Sequence, residues 1–349
     1  MNSESASIAV GRNAMATRFE VYLPGKNLAH LRAAAEEALD EIERLDGQLS
    51  VHSLGSEMSR LNAWAAKRPV KVDRSLFGLL QHARRLSLET GGAFDITVGP
   101  LLRCWGFWGG NGHPAEPQAL KVARDCVGWQ HIRLDEEQGT VQFDHPGVEL
   151  DLGAIGKGYA IDRALELLRE AGVTSGVVDG GNSTIGVIGA PPGRPAWEVF
   201  LPRPDHGQAL HRQALASPPA VEVTDLKAGS AKSIVAAQAQ ENPLAVIALR
   251  DATLSVSAVW GRSFIEAGQV RGHVLDPRVG RPIRGACLAA VVLPSATESD
   301  AFSTALLVDG SPGQRRLGML RPGMRTWIVS PGDAPDESGW RITALESEP

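Results

Sequence analysis

The sequence is poor in the features that mark several classes of protein. Its 349 residues contain three cysteines, Cys104, Cys126 and Cys287, which are far apart and form no C-x-x-C pair. This spacing fits neither a disulfide framework nor a zinc site, so we expect three buried, reduced thiols. Lysine and arginine number 35 against 40 acidic residues, and the net charge of −5 provides no basic surface for a nucleic acid.

Long hydrophobic runs are also missing. No apolar stretch approaches the roughly 20 residues that a membrane-spanning helix needs. Residues 1–20 lack a basic segment followed by an apolar one, so we predict no signal peptide and a cytoplasmic protein. The 43% hydrophobic content is nevertheless ample for one large core or two smaller ones.

Strand and helix signals alternate along the chain. Helices are predicted over 28–46, 74–90 and 158–171, the last two ending at glycines. A strand pair is predicted over 7–23, strands over 140–152, 177–178 and 184–188, and a return of ordered structure over 244–249 and 254–264. We expect a polar segment over 49–62, a loop over 93–112 and a frayed end over the last ~15 residues. This order favours an α+β fold over a doubly wound sheet.

We expect one large domain over 7–335. Within it, residues 203–242 are rich in Ala, Gln, Ser and Pro and have little periodicity. Such a composition is typical of a long, irregular and mobile insertion, not of a separate domain.

A glycine-rich turn lies in the segment 149–162. Its glycines, Gly153, Gly156 and Gly158, follow the order G-x-x-G-x-G, which matches neither the Rossmann nor the Walker A pattern. A strand, this turn and a helix start would aim backbone N–H groups at an anion, and Lys157 lies where it could meet phosphate charge. The alternative is a tight turn with a surface lysine.

A second segment, 295–307, predicts an apolar helix. Ser295 and Glu298 match a capping box at its start. Asp300 and Thr304 would lie one turn apart on one face, and their oxygens suit a hard cation such as Mg²⁺. The alternative is that Asp300 stabilises the helix dipole and Thr304 is a surface residue. With the glycine turn, a Mg²⁺ site suggests chemistry on a phosphate or pyrophosphate.

Two further segments contain residues whose chemical role the sequence indicates less specifically. His273, in the segment Gly272–Gly280, is a candidate base or anion donor, although a histidine in a turn is often structural. The glycines of 90–100 and the aromatic residues of 104–108 suit a flat ring system. Ordinary core packing of Trp105, Phe107 and Trp108 is the alternative.

The order of these blocks resembles the FAD:protein FMN transferase (ApbE) family. The blocks that carry the resemblance are Met15–Phe19, Leu49–Asn62, Gly92–Pro100 with Trp105–Phe107, Asp151–Ala160, Asp179–Asn182, and His273–Pro277 followed by Asp300–Leu307. They occur in family order across about 15–310. The resemblance implies an ApbE-like (T-fold-like) domain that uses FAD and Mg²⁺. The sequence departs from the family pattern at Val51-His52, where a tyrosine is common, and at Val256–Trp260, where only Ser257 is retained.

The activity implied by this resemblance is the cleavage of FAD. Family members release AMP and attach FMN to a Thr or Ser hydroxyl of an acceptor flavoprotein. A Mg²⁺-dependent FAD pyrophosphatase giving FMN and AMP is the alternative at the same site. A flavin-binding carrier without turnover is the alternative of another class.

The resemblance also implies roles for particular residues. The metal ligands would be the Asp300 and Thr304 side chains and the Ala154 carbonyl. FAD would contact the residues Met15, His52, Ala93, Phe94, Asp95, Lys157 and Leu275. His273 would be the base, and Lys157 would neutralise phosphate charge.

Overall fold

The structure is a computed structural model that describes residues 6–181, 183–201, 203, 243–266, 269–331 and 340–347. It combines helices with antiparallel sheets, which confirms the α+β class. The helices are α1 (Leu28–Leu49), α2 (Glu57–Trp64), α3 (Arg74–Glu89), α4 (Gly99–Cys104), α5 (Pro117–Asp125), α6 (Gly156–Glu170), α7 (Ala296–Asp309) and α8 (Ser311–Leu320). Short 3₁₀ helices cover Ile96–Val98 and Trp129–His131.

Seventeen strands are described. They are β1 (Ser7–Ala14), β2 (Thr17–Pro24), β3 (Val70–Lys71), β4 (Ile132–Asp135), β5 (Thr140–Phe143), β6 (Gly176–Asp179), β7 (Thr184–Ile188), β8 (Trp197–Leu201), β9 (Ala245–Leu249), β10 (Thr253–Ala258), β11 (Ser263–Glu266), β12 (Gln269–Gly272), β13 (Leu275–Asp276), β14 (Arg281–Pro282), β15 (Leu288–Leu293), β16 (Arg325–Pro331) and β17 (Trp340–Glu346).

The described residues cluster into two compact units. The first unit comprises those within Met1–Asp46, Lys157–Ser255 and Val292–Ser299. The second comprises those within Gly47–Gly156, Val256–Val291 and Asp300–Pro349. The expected domain limits of 7–335 stay a prediction.

The first unit is built on antiparallel strands in the order β1-β2-β6-β7-β10. Helix α6 packs closely on this sheet at Gly186, where an added Cβ would come within 2.7 Å of Leu165 Cδ1. Phe19, Val21 and Leu23 of β2 are fully buried, because alternate residues of a half-buried strand face the core. The hairpin β8–β9 adds an edge-to-face contact between Trp197 and Tyr22, with ring centroids 6.0 Å apart.

The second unit contains smaller sheets and most of the short helices. The strands β3-β5-β4 form one sheet, β11–β12 and β13–β14 form hairpins, and β15-β16-β17 run side by side. A buried cluster of this unit consists of Leu101, Trp105, Phe107, Leu120, Ala123 and Leu275. Trp105 and Phe107 therefore pack in the core, which confirms the packing alternative for these two rings.

The long helices agree with the sequence, and the short elements correct it. The expected helices over 28–46, 74–90 and 158–171 correspond to α1, α3 and α6. The loop expected over 93–112 was wrong in part, because α4 begins at Gly99 with Pro100 in its first turn. The polar segment 49–62 contains α2, which Ser56 caps with a 2.9 Å bond from the Ser59 N–H. The frayed end was wrong for β17, which pairs with β16 along its whole length.

The strand expected over 140–152 ends early, at Phe143. Residues 149–152 have no strand partner of their own and are held by a side chain instead. The Asn62 amide donates to the Leu150 carbonyl and accepts from the Leu150 N–H, both at 2.9 Å. An amide side chain thus replaces the neighbouring strand that the pattern implied.

Three remaining expectations concern the insertion, the thiols and the membrane. Apart from Arg203, the segment 203–242 lies outside the described residues. Cys126 and Cys287 are buried free thiols as expected, whereas Cys104 is free but only half-buried. Within the part of the chain that the structure describes, every helix is too short or too polar to cross a bilayer.

Candidate active site

Helix α7 carries the two predicted side-chain metal ligands. Asp300 is 4% exposed, and its neighbours Ala301 and Phe302 are completely buried. Thr304 follows one turn later, and its hydroxyl is 3.4 Å from the Asp300 carbonyl. A carboxylate in such an apolar helix costs several kcal/mol unless hydrogen bonds or a cation offset its desolvation. The position of Asp300 is therefore unusual for a residue that only stabilises a helix dipole.

Two serines complete a group of hydroxyls beside Thr304. Ser257 of β10 lies with its Oγ 2.8 Å from Ser303 Oγ and 3.1 Å from Thr304 Oγ1. Ser303 is fully buried. Neither serine is predicted as a site residue from the sequence, where a serine within an apolar helix is the available signal. Carboxylate and hydroxyl oxygens are hard donors, so this set is chemically suited to Mg²⁺.

The start of α7 is held by a carboxylate from another helix. Asp162 of α6 accepts hydrogen bonds from Ser295 Oγ, from the N–H groups of Ala296 and Thr297, and from Thr297 Oγ1, at 2.6–2.9 Å. The Glu298 N–H donates to Ser295 Oγ at 3.3 Å, as the capping box predicts for the serine. Asp162 was not predicted, because its partners are more than 130 residues away in sequence.

The glycine turn before α6 is organised by Asp151. Its Oδ1 accepts from the Gly153 N–H at 2.8 Å, and its Oδ2 accepts from the Trp108 indole at 3.1 Å. Ala154, the predicted backbone ligand, lies half-buried in this turn. Lys157 is the second residue of α6 and belongs to the first unit. The predicted turn and helix start are thus present.

Trp108 connects the glycine turn with the segment around His52. The Arg103 guanidinium lies 4.3 Å from the Trp108 ring and forms a bidentate ion pair with Glu149 at 2.7 and 3.0 Å. The exposed His52 ring stands edge-on to Trp108, with centroids 6.1 Å apart. Trp108 therefore differs from the buried Trp105 and Phe107, and it presents an aromatic surface near a predicted FAD contact.

The segment Ala93-Phe94-Asp95 forms a tight, buried turn. Ala93 and Phe94 are each 1% exposed, so any ligand would meet mainly their backbone. The Asp95 carboxylate caps the 3₁₀ helix, because it accepts from the Thr97 N–H at 2.9 Å and from the Thr97 hydroxyl at 2.8 Å. Burial raises the pKa of Asp95, while the bonds from Thr97 and Ser87 act in the opposite direction.

His273 and Leu275 lie around the start of the β13–β14 hairpin. The His273 ring is half-buried and stands edge-on to Phe107, with centroids 6.4 Å apart. Leu275 is 5% exposed and belongs to the buried cluster, so its backbone is the part available to a ligand. The hairpin fixes both residues through the pairing of Leu275 with Pro282.

An ion network joins three segments that carry predicted site residues. Asp309, at the end of α7, pairs with Arg278 at 2.8 Å and with Arg316 at 2.5 Å. Arg278 also pairs with Asp276 of β13 at 2.9 Å, and this hydrogen bond raises the pKa of Arg278. Arg316 donates to the Thr90 carbonyl at 2.6 Å, next to the Ala93–Asp95 turn. The end of helix α7, the His273 hairpin and this turn are therefore held together within the second unit.

Met15 occupies the tip of the β1–β2 hairpin in the first unit. Met15 and Ala16 have φ angles of 49° and 59°, as in the two-residue turns that match the twist of a hairpin. This left-handed backbone is uncommon for residues other than glycine. The predicted strand pair over 7–23 is thus confirmed, with Met15 at its turn.

Comparison with known proteins agrees with the resemblance noted above. The ApbE family profile matches residues 15–325. A protein of Treponema pallidum, named FAD:protein FMN transferase, is 29% identical over 87% of this chain and 78% of its own length. A Klebsiella pneumoniae protein of the same name is 28% identical over 86% of this chain and 76% of its own.

Two solved structures have the same fold. The ApbE protein of Thermotoga maritima has a TM-score of 0.77 and 25% identity, and the match covers 98% of this chain and 97% of that one. The flavin transferase ApbE of Vibrio cholerae has a TM-score of 0.77 and 21% identity, with 98% of each chain covered. Because the family profile extends over most of the sequence, this chain belongs to the ApbE family.

Proposed function

We propose that this chain is an FAD:protein FMN transferase that attaches FMN to a Thr or Ser hydroxyl of an acceptor flavoprotein and releases AMP. The names of the curated relatives support the transferase class. The buried Asp300 beside Thr304 on α7 is the observation that carries the proposal for this chain, because an oxygen site for a hard cation suits chemistry on a pyrophosphate.

The proposed Mg²⁺ ligands are the side chains of Asp300 and Thr304 and the carbonyl of Ala154. Ser257 hydrogen-bonds to both Ser303 and Thr304. This pairing would orient the Thr304 hydroxyl. When bound, Mg²⁺ would supply positive charge to the pyrophosphate oxygens. Each of these oxygen donors fits a hard cation, and magnesium usually takes few protein ligands plus substrate oxygens and water.

The proposed reaction is an in-line displacement at the FMN-side phosphorus. A bond forms between the acceptor oxygen and phosphorus, the bond from phosphorus to the bridging oxygen breaks, and AMP leaves with that oxygen. His273 would take the proton of the acceptor hydroxyl, and Lys157 would offset charge on the phosphates. Positioning and charge carry most of the catalysis in such a reaction.

The proposed FAD contacts follow the family resemblance. In the second unit they are His52, Ala93, Phe94, Asp95 and Leu275. Their support is that the ion network fixes the Ala93–Asp95 turn and the His273 hairpin, while Trp108 flanks His52. Met15 and Lys157, in the first unit, are assigned by the resemblance alone.

The test is incubation of the purified protein with FAD, with and without Mg²⁺, followed by chromatography for AMP and FMN. Adding an acceptor flavoprotein and measuring flavin fluorescence on denaturing gels distinguishes transfer from hydrolysis. Covalent flavin on the acceptor is expected. Free FMN with an unlabelled acceptor would favour the pyrophosphatase, and FAD that stays intact with acceptor and Mg²⁺ present would favour a flavin carrier.

Asp300→Ala tests the metal assignment directly. We expect it to lower Mg²⁺-dependent AMP release by roughly a hundredfold or more, because a charged ligand is lost. Glu298→Gln, which removes a nearby negative charge from the same helix, is the matched control and should retain activity. Full activity of a folded Asp300→Ala protein would contradict this metal site.

A further inference from the structure

A cluster of two histidines and an aspartate lies at the open end of the β4–β5 hairpin. His131 ends the 3₁₀ helix just before β4, while Asp144 and His145 directly follow β5. The two strands pair in register from Ile132 with Phe143, and the Asp144 N–H donates to the His131 carbonyl at 3.0 Å. The hairpin thus brings these three residues together.

The side chains of this cluster are close enough to share one ion. His131 Nδ1 is 3.1 and 3.2 Å from the two carboxylate oxygens of Asp144. The His131 and His145 rings are nearly perpendicular, with centroids 4.7 Å apart. One ligand atom from each of the three residues lies within 4.8 Å of the others. Small side-chain rotations would bring these atoms to the spacing of a tetrahedral shell.

The donor set selects a particular class of metal. Neutral imidazole nitrogens suit Zn²⁺, Ni²⁺, Co²⁺ and Cu²⁺, whereas Mg²⁺ prefers oxygen ligands only. We propose that His131, Asp144 and His145 bind Zn²⁺ or a similar divalent transition metal, which closes the open end of the β4–β5 hairpin. This site is distinct from the proposed Mg²⁺ site in its residues and in its ligand chemistry.

The surroundings of His145 favour binding through one of its nitrogens. His145 Nδ1 is 2.7 Å from the Pro146 carbonyl, and Nε2 is 3.3 Å from the Asp125 carbonyl. Binding through Nε2 would replace the longer contact and retain the shorter one. The retained bond to Pro146 would then fix the tautomer and the ring orientation, as partners of metal-bound histidines commonly do.

A cavity provides room for the remaining coordination position. It has a volume of about 300 Å³ and is lined by His131 and Asp144 together with Arg84 and Arg133. Three protein ligands leave one tetrahedral position for water or another small ligand. The two guanidinium groups reduce the affinity for a bare cation and favour hydroxide or a small anion at that position.

The experiment is a titration of the metal-free full chain with ZnCl₂ by calorimetry, in excess MgCl₂ so that the proposed magnesium site does not contribute. One equivalent of Zn²⁺ should bind. His145→Ala and Asp144→Asn should each weaken binding at least about tenfold. Co²⁺ should give the visible absorption of a tetrahedral site in the wild type, and this absorption should be lost in both variants.

His113→Ala is the matched control. His113 is an exposed histidine whose Nδ1 is 3.1 Å from the carbonyl of the following proline, Pro114, as in His145. Its removal should leave Zn²⁺ binding unchanged. Asp144 is exposed, so Asp144→Asn preserves the fold if His145→Ala does not. Absence of binding, or equal binding by the wild type and Asp144→Asn, would overturn the proposal.

Discussion

Two carboxylates of the first unit, Asp162 and Asp179, have opposite surroundings: Asp162 is half-buried and Asp179 is buried. Asp162 of α6 accepts four hydrogen bonds at the start of α7, at 2.6–2.9 Å. Asp179 ends β6 and is 7% exposed, and no described residue hydrogen-bonds to its Oδ1. The first carboxylate therefore has abundant donors, whereas the second is largely desolvated and has few.

The consequence for Asp179 is a strong preference for its neutral form. Burial, and to a lesser extent the Glu20 carboxylate directly opposite on β2, raise the pKa of Asp179 to about 7, with the hydrogen bond from the Gly181 N–H acting in the opposite direction. Like charges opposite one another in a sheet are destabilising. Asp162 and Asp179 thus differ in both burial and donors, and a carboxylate stabilises the fold only where hydrogen-bond donors offset its desolvation.

Among the changes that test this comparison, Asp162→Ala should have the largest effect on stability. It would leave the first N–H groups of α7 and the hydroxyls of Ser295 and Thr297 without their acceptor. We expect a loss of about 3 kcal/mol in the free energy of unfolding, since several charge-assisted hydrogen bonds and a helix cap disappear together. Urea denaturation at neutral pH measures this loss.

Asp162→Asn separates hydrogen bonding from charge at the same position. The amide keeps one acceptor oxygen, so it should lose about half as much stability as the alanine variant. Because α7 carries Asp300 and Thr304, we also expect both variants to need more Mg²⁺ for half-maximal FAD cleavage. An alanine variant within about 0.5 kcal/mol of the wild type would show that Asp162 does not hold α7.

Asp179→Asn should have the next largest effect, and the effect depends on pH. The folded protein binds the Asp179 proton more tightly than the unfolded chain does. The resulting stability is fully present below about pH 4 and is lost as the pH rises through about 7. Asparagine is neutral throughout. Between pH 5 and pH 8 the variant should therefore gain on the order of 2 kcal/mol relative to the wild type.

Urea denaturation of both proteins across this pH range is the measurement. Asp251→Asn is unsuitable as a control, because Asp251 accepts a 2.8 Å bond from the Gly189 N–H. Asp125→Asn is better, since Asp125 is an exposed carboxylate at the end of α5. A difference between wild type and Asp179→Asn that stays constant with pH would show that Asp179 is already ionised at pH 5.

The helices show how much of the fold the sequence alone can predict. Periodicity predicts α1, α3 and α6, because each is long enough to repeat its apolar face several times. The short helices α2 and α4, with 8 and 6 residues, offer too few repeats, and their local signals are the Ser56 cap of α2 and Pro100 in the first turn of α4. Among the helices, local patterns thus predict the long ones and miss the short ones.

The candidate site shows the same limit at longer range. Asp300 and Thr304 share one helix, so their spacing in sequence suffices to place them together. The contact of Ser257 with Ser303 and the cap from Asp162 join residues distant in the chain. Only the folded arrangement of strands and helices brings such residues together, and local patterns in a single sequence do not predict that arrangement.

The smallest effects should come from the neighbours of Asp179. Glu20 pairs with Arg18 at 2.8 Å, which partly offsets the negative charge opposite Asp179. Glu20→Gln should lower the pKa of Asp179, whereas Arg18→Gln should raise it, because it leaves the Glu20 charge without its partner. At pH 8, Glu20→Gln should raise the free energy of unfolding by about 0.5 kcal/mol, and Arg18→Gln should lower it by about the same amount. Shifts of the same sign would mean that loss of the Arg18–Glu20 pair outweighs repulsion between Glu20 and Asp179.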